Sequence, residues 1–228
     1  MAPMTEMPAT GLDELSATDR TRHRRLREKG RTDRAALHEV LSAGFVCHLG
    51  VLTGGVPMVV PTVYGFDTDH IYVHGSAASR SLTPPDTVCV TVTHVDGLVL
   101  ARSVFEHGVN YRSAMVYGVP RSLQGDEKLA ALRILTEHAA PGQWDYARKP
   151  SRKELAATTI LAISLAEASV KVSSGPPDDG DSPDAALGLW AGVLPLATTW
   201  LPPVPDPLLP EGITPPTHIT IRAGEQLS

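Results

Sequence analysis

The segment from His74 to Leu82 combines the residue types that hold a phosphate group. Gly75 allows a ligand to approach the backbone closely, and Arg80 offers a planar guanidinium that can bind two oxygens at once. Three hydroxyl groups accompany them, on Ser76, Ser79 and Ser81. This composition predicts a site for a phosphorylated cofactor, and the alternative is a Gly- and Ser-rich turn that only opens a short helix.

His74 is the candidate for direct participation in chemistry. It ends a predicted strand and precedes a glycine. An imidazole in that place can donate to a ligand oxygen or transfer a proton near neutral pH. The alternative is a ring that only hydrogen-bonds backbone at the strand end.

A second group of candidates opens a later strand, at Tyr111, Arg112 and Ser113. An arginine that points into a barrel needs an anionic partner, so Arg112 and Ser113 are candidate ligand contacts. The alternative places Arg112 at the barrel mouth, where water solvates it.

A third group lies in an earlier strand and consists of Val59, Val60, Pro61 and Thr62. Pro61 removes one hydrogen-bond donor from the strand ladder, which predicts an edge or a bulge. The exposed backbone of such an edge could hydrogen-bond a planar ring. The alternative is an ordinary edge strand without a ligand.

Several kinds of site are excluded by missing motifs. The chain has no GxGxxG or GxxxxGK segment and no Gly-x-Ser-x-Gly elbow, which excludes a Rossmann site, a P-loop and the usual serine hydrolase. No His-x-His motif is present, and no pair of histidines on a predicted helix has i, i+4 spacing, so we expect no metal site. Cys47 and Cys89 lie in apolar strand-like runs and are expected to be buried thiols in a reducing cytoplasm.

The charge of the chain is unevenly distributed. The net charge is −5, yet eight basic residues lie between Arg20 and Arg34 against Glu28 and Asp33. Such a basic arm could contact nucleic acid, its own body or a partner subunit. No aromatic residue in the arm could stack on bases, which argues against nucleic acid. No run of about 18 apolar residues and no signal peptide is present, so we expect no membrane association.

The elements that must position these candidates are mostly strands. Phe45–Thr53 and Val56–Phe66 flank Gly54-Gly55, a pair typical of a two-residue hairpin turn. Further strands are predicted at His70–His74, Val88–Thr93, Tyr111–Val119 and Ile160–Val172. Helices are predicted after Asp33 as an N-cap, over Asp126–His138 and after the capping box of Ser151 and Glu154.

These elements divide the chain into three parts. Residues 1–30 form a flexible tail and the basic arm, residues 31–196 form the folded domain, and residues 197–228 form a Pro-rich extension. Strands in hairpins with peripheral helices, and without β-α-β alternation, predict a mainly β protein built as an antiparallel barrel.

Eight segments, taken in order, resemble a known family. They are Val46–Gly50, Val59–Tyr64, Ile71–Ser76, Val88–Ser103, Asn110–Ser113, Pro141–Gly142, Ala168–Lys171 and Trp190–Pro195. Together they resemble the flavin-nucleotide-binding, nitroimidazole-resistance-like branch of the pyridoxamine 5'-phosphate oxidase-like family, from about Arg31 to Leu196. The resemblance implies a split β-barrel homodimer that binds FMN between its subunits.

The resemblance also implies roles for residues of this chain. It places the FMN phosphate at Ser79, Arg80 and Ser81, with help from Arg112 or Ser113. It places the flavin ring beside the strand that holds Val59, Val60, Pro61 and Thr62 and beside the strand end at His74, Gly75 and Ser76. It implies that Trp190 reaches the flavin of the partner subunit. True oxidases of the family carry an Arg-Lys pair in this loop, whereas Ser81 follows Arg80 here.

Three functions remain open at this stage. The first is an FMN-dependent reductase or oxidase of a small organic molecule, in which His74 supplies a proton. The second is a flavin-binding protein without turnover. The third is a haem-binding split barrel that uses a histidine as an axial ligand. The arginine and histidine with which true oxidases bind pyridoxamine phosphate have no counterpart near the C-terminus, so that substrate is not expected.

Overall fold

The computed structural model describes residues 14–15, 17–24, 26–82 and 86–227. Most of the predicted N-terminal tail, and Arg25 of the basic arm, lie outside these residues. The strands are β1 (Gly30–Arg31), β2 (Val46–Thr53), β3 (Val56–Phe66), β4 (His70–Ser76), β5 (Val88–Leu100), β6 (Gly108–Gly118), β7 (Arg121–Ser122), β8 (Thr158–Ser164), β9 (Ala168–Ser173), β10 (Gly192–Pro195), β11 (Thr198–Thr199) and β12 (Gln226–Leu227). The helices are α1 (Arg34–Ser42), α2 (Gly125–Ala139), α3 (Gln143–Tyr146), α4 (Arg152–Ala157) and α5 (Thr217–Thr220).

The main sheet is antiparallel and curls into a split barrel. Its strand order is β1-β9-β6-β5-β2-β3-β4-β8-β7, and β10 pairs with the far end of β5. The curl closes where Gly118 of β6 faces Ile163 of β8, since a Cβ on Gly118 would lie 3.0 Å from Ile163 Cγ2. The mainly β barrel expected from the sequence is therefore confirmed.

The barrel interior is filled by alternate residues of the strands. Val88, Val90 and Val92 of β5 are buried, as the period-2 pattern predicts. One end of the barrel is closed by α1, whose residues Leu37, Val40 and Leu41 are buried. This helix begins where the Asp33 side chain accepts a hydrogen bond from the amide of Ala36 at 2.7 Å.

Two further local predictions are confirmed. The hairpin between β2 and β3 turns at Gly54 and Gly55, whose φ angles of +59° and +78° suit a two-residue turn. The capping box at α4 forms as predicted, with the Ser151 hydroxyl and the Glu154 carboxylate each accepting a hydrogen bond from the other residue's amide.

The single strand predicted over Ile160–Val172 is wrong, because the chain reverses in the middle of it. Strand β8 ends at Ser164, and β9 begins at Ala168 on the other side of the barrel seam. Ser164 Oγ accepts from the amide of Ala166 at 3.2 Å, so a serine makes the turn without glycine or proline. Ile163, Leu165 and Val170 are nonetheless all buried.

The described part of the basic arm folds back on its own chain. Arg20 forms a two-point ion pair with Glu167, at 3.0 and 2.6 Å, and its guanidinium lies over the Tyr117 ring. His23 Nε2 lies 2.9 Å from the carbonyl oxygen of Val170, and β1 extends the sheet beside β9. The arm therefore packs against the acidic body, one of the alternatives that the charge distribution left open.

The C-terminal extension is anchored near the end of the barrel that α1 closes. Trp200 stacks on Phe45 with ring centroids 5.5 Å apart, and the guanidinium of Arg222 lies 4.3 Å from the centre of the Trp200 ring. Strands β11 and β12 pair beside this stack. None of the helices in the described ranges is long and apolar enough to cross a membrane.

Candidate functional site

The open edge of β3 is the first part of the candidate site. Strand β3 pairs with β2 from Val56 to Val63, but with β4 only at Tyr64, Gly65 and Phe66. Among the residues that the structure describes, no strand pairs with the second edge of β3 before Tyr64, the stretch that contains Pro61. Val59 on this stretch is 66% exposed. The edge predicted from Pro61 is confirmed, and its backbone groups are available to a ligand.

The end of β4 brings His74 next to this edge. The hydroxyl of Thr62 donates a hydrogen bond to the carbonyl oxygen of His74 at 3.4 Å. His74 is half-buried, and burial lowers the pKa of its imidazole. Its Nδ1 atom is buried and has no hydrogen-bond partner within the described chain. A buried nitrogen without a partner costs about 1–3 kcal/mol, so this position suits a bound group that pairs with it.

The loop after β4 is held by its own hydrogen bonds. The amide of Ala77 donates to the carbonyl of Ala157 at 2.9 Å, and the hydroxyls of Ser79 and Ser81 lie 2.8 Å apart. Ser81 is buried, whereas Ser76 and Arg80 are exposed. The exposed hydroxyl and guanidinium of the predicted phosphate loop thus face outward, while Ser81 supports the loop from inside.

Gly75 has a packing role that the sequence did not indicate. A Cβ at this position would lie 2.7 Å from the Cδ1 atom of Leu82. The glycine therefore lets the loop fold tightly over the end of β4. This contact holds the following turn at the rim of the barrel, where its exposed groups can meet a ligand.

Arg112 has an anionic partner from its own chain. Its Nε and Nη2 atoms donate to the carboxylate of Asp96, with distances of 3.2 Å to Oδ2 and 3.0 Å to Oδ1. Asp96 is the extra residue of a bulge between Val95 and Gly97 on β5, and Arg112 lies opposite His94 in the same ladder. The structure thus groups Arg112 with Asp96 and His94, on different strands from the loop of Ser79 and Arg80.

Asp96 and His94 are residues that sequence reasoning missed. The signal available was the Val95-Asp96-Gly97 segment, since glycine after a carboxylate inside a strand is typical of a bulge. His94 Nε2 lies 3.0 Å from the carbonyl oxygen of Val40, and burial lowers the pKa of its ring. A neutral ring therefore donates through Nε2 and keeps Nδ1 as an acceptor.

Ser113 lies on the outer face of the sheet, in line with the open edge. Residues directly opposite in neighbouring antiparallel strands point to the same face. Ser113 pairs with Thr93, and Val46 pairs with Val63, the residue after Thr62. The outer face therefore runs from Ser113 across β5 and β2 to the β3 edge.

Trp190 extends from the surface at the start of β10. It is 69% exposed, and its ring covers Gly192, where a Cβ would lie 2.9 Å from Trp190 Cζ2. The expectation that Trp190 serves a partner subunit stays a prediction.

No group of three metal-ligating side chains occurs among the described residues. The orphaned Nδ1 of His74 beside an open strand edge fits the ring of a flavin, whose edge carries alternating hydrogen-bond donors and acceptors.

Comparisons with known proteins agree with this architecture. No curated protein matches the chain. The flavocytochrome Anf3 from Azotobacter vinelandii is 37% identical, with a TM-score of 0.85 over 91% of this chain and 98% of that chain. An FAD- and haem-binding protein from Mycobacterium smegmatis is 36% identical, with a TM-score of 0.82 over 87% and 98% of the two chains.

A more distant structure shares the fold alone. It is a candidate 5-nitroimidazole antibiotic resistance protein from Bacteroides thetaiotaomicron, 20% identical, with a TM-score of 0.54 over 63% of this chain and 86% of that one. The profile of the pyridoxamine 5'-phosphate oxidase family matches residues 33–172, which hold the open edge, the loop after β4 and the Arg112–Asp96 pair. The chain therefore belongs to the pyridoxamine 5'-phosphate oxidase family.

Proposed function

We propose that this protein is a flavin-dependent redox protein that holds the flavin along the open edge of β3. The observation that carries the proposal is the buried, unpartnered Nδ1 of His74 next to that edge. In this arrangement the backbone of Val59 to Thr62 binds the ring, and His74 pairs with a ring or substrate oxygen. When bound, the flavin supplies electron transfer to or from a small organic molecule.

The phosphate end of the flavin belongs to the loop after β4 in this proposal. Ser76, Ser79 and Arg80 supply hydroxyl groups and one guanidinium there. FMN is the expectation from the sequence. We favour FAD, because Arg80 is the single cation of this loop and the M. smegmatis relative binds FAD. A pyrophosphate that continues beyond this loop needs fewer cations in the loop than a phosphate that ends there.

The two similar structures that align over most of this chain favour haem as a second cofactor. Both are named as haem or cytochrome proteins, and both align over most of this chain. An axial ligand requires a histidine with a free ring nitrogen. His48 meets this requirement, since it is exposed on β2 and has no hydrogen-bond partner in the described part of the chain. His48 faces the same side of the sheet as Pro61 and Thr91, its neighbours in the ladder.

The absorption spectrum of the purified protein tests both proposals. A two-band flavin spectrum supports the first, and a sharp Soret band that disappears in His48→Ala supports the second. Mass spectrometry of the cofactor released by denaturation then separates FAD from FMN. A colourless protein that binds neither added flavin nor haemin contradicts both proposals.

A further inference from the structure

A cavity of about 470 Å³ lies between the barrel end and the C-terminal extension. Its apolar wall includes Phe45, Val46 and Leu196 on the side of the folded domain and Leu227 on the extension side. Its polar wall includes the group formed by His94, Asp96 and Arg112. Such a mixture of apolar walls with a few convergent polar groups is typical of small-molecule sites.

The C-terminal extension forms one wall of this cavity. Leu196 and Leu227 lie beyond residue 172, where the family match ends. The amide of Leu196, the residue just before the extension, donates to the carbonyl oxygen of Asp96 at 3.0 Å and fixes the start of the extension beside the bulge. The Trp200–Phe45 stack and the hydrogen bond from Arg222 to the Ala139 carbonyl, 2.9 Å, hold the remainder. The Pro-rich extension thus completes a site that the barrel alone leaves open.

The polar groups of the cavity select an uncharged ligand. Arg112 uses Nε and Nη2 for Asp96, and its Nη1 has no hydrogen-bond partner in the described ranges. The guanidinium and carboxylate cancel in charge, and the His94 ring is neutral because burial lowers its pKa. Asp96 would repel a ligand carboxylate. A neutral carbonyl oxygen could accept a hydrogen bond from Arg112 Nη1 without this repulsion.

We propose that this cavity binds a small, planar, uncharged molecule with a carbonyl group, such as an aromatic ketone or a quinone. The carbonyl oxygen accepts from Arg112 Nη1, and the ring lies against Phe45 and Val46. Val46 pairs with Val63, next to Thr62, so the bound molecule lies beside the strand assigned to the flavin. The inference concerns ligand binding and does not depend on the flavin.

Calorimetric titration with methyl naphthyl ketone and with naphthoate tests the site, using the protein as purified with its cofactor content recorded. The two probes share a ring system and differ in charge. We expect saturable binding of the ketone and at least about tenfold weaker binding of naphthoate, a difference of about 1.4 kcal/mol.

Two variants locate the binding. Arg112→Lys keeps the ion pair with Asp96 but loses the planar fork, and it should weaken ketone binding about tenfold or more. Ala197→Trp fills the cavity from an exposed position on the extension and should abolish binding without changing the melting temperature. Arg121→Lys is the matched control, because Arg121 pairs with Glu127 outside the cavity.

Three results would overturn the proposal. They are the absence of saturable ketone binding to the wild type, ketone binding that survives both Arg112→Lys and Ala197→Trp, and competition by haemin, which would assign the cavity to haem. Each of these readouts is a binding measurement. Loss of flavin from the protein would therefore appear separately, in the recorded cofactor content.

Discussion

Phosphate recognition in the proposed flavin site depends on the guanidinium of Arg80. Arg80→Ala removes a charge-assisted contact and should weaken binding of FMN or FAD by about 2–3 kcal/mol, roughly 30- to 150-fold. Riboflavin has no phosphate and should lose little affinity. Fluorescence titration of the three flavins measures this, and an equal loss for all three would show that Arg80 acts through the fold.

His74 is the second residue with a testable role. Its neutral, half-buried imidazole lies beside the open edge and can give or take one proton there. His74→Gln preserves size and some hydrogen bonding but cannot transfer a proton. We expect the variant to retain flavin and to lose about 100-fold in flavin-dependent turnover. Full turnover in the flavin-loaded variant would exclude His74 as the proton donor.

Arg112 shows what a single residue's pattern can and cannot predict. Its type and position in a strand left two alternatives, an anionic partner or solvation at the barrel mouth, and the structure shows an anionic partner. The partner is Asp96, sixteen residues earlier, rather than a ligand phosphate. The pairing depends on a bulge that inserts Asp96 into β5, and neither the bulge nor its direction follows from the residues around Arg112. Long-range ion pairs of this kind require the register of the sheet.

At the scale of elements, local signals predicted what local physics determines. Gly-Gly turns, capping boxes and period-2 burial are decided within a few residues, and the β2–β3 hairpin, α4 and the buried face of β5 all formed as predicted. The break between β8 and β9 was missed because Ser164 to Glu167 contains neither glycine nor proline. The pairing of β10 with β5 joins segments more than 90 residues apart and leaves no local signal.

Helix α2 is joined to the barrel through His138, which makes its attachment sensitive to pH. His138 Nε2 lies 2.7 Å from the Gly44 carbonyl oxygen, and its ring packs against Tyr64 and Phe66. Burial lowers the pKa of His138 below its ordinary value of 6.5. The unfolded chain therefore binds a proton more readily than the folded one, and stability present above pH 6.5 falls as the pH drops below it.

His138→Phe tests this element. It keeps an aromatic ring, loses the hydrogen bond at a cost of about 1 kcal/mol near neutral pH, and should reduce the slope of stability against pH below 6.5. Tyr64→Phe is the matched control, since it removes a hydrogen bond to Leu41 of 2.6 Å without removing a histidine. Urea unfolding at several pH values measures both, and equal acid slopes in His138→Phe and the wild type would contradict the assignment.

At the scale of the whole molecule, the exposed apolar surface predicts a second copy of the chain. Val59 on the open edge, Phe105 after β5 and Val204 in the extension are 66%, 90% and 91% exposed. Open strand edges and large apolar side chains in water are both unfavourable, and pairing two copies covers them. Light scattering at micromolar concentration should give twice the chain mass of 24.3 kDa. A scattering mass of one chain would contradict the dimer.

The dimer also predicts how each flavin site is assembled. If Trp190 of one subunit completes the site built by the Arg80 loop of its partner, each site draws on both chains. Arg80→Ala and Trp190→Ala homodimers should then both bind flavin weakly.

Refolding the two variants together creates mixed dimers in which one site has both lesions and the other has none. We therefore expect the mixture to recover tight binding at up to about one site in four, because half of the dimers are mixed when pairing is random. Flavin titration of the mixture measures that recovery. If Trp190 and Arg80 served the same site within one chain, every site would carry one lesion, and mixing would restore nothing.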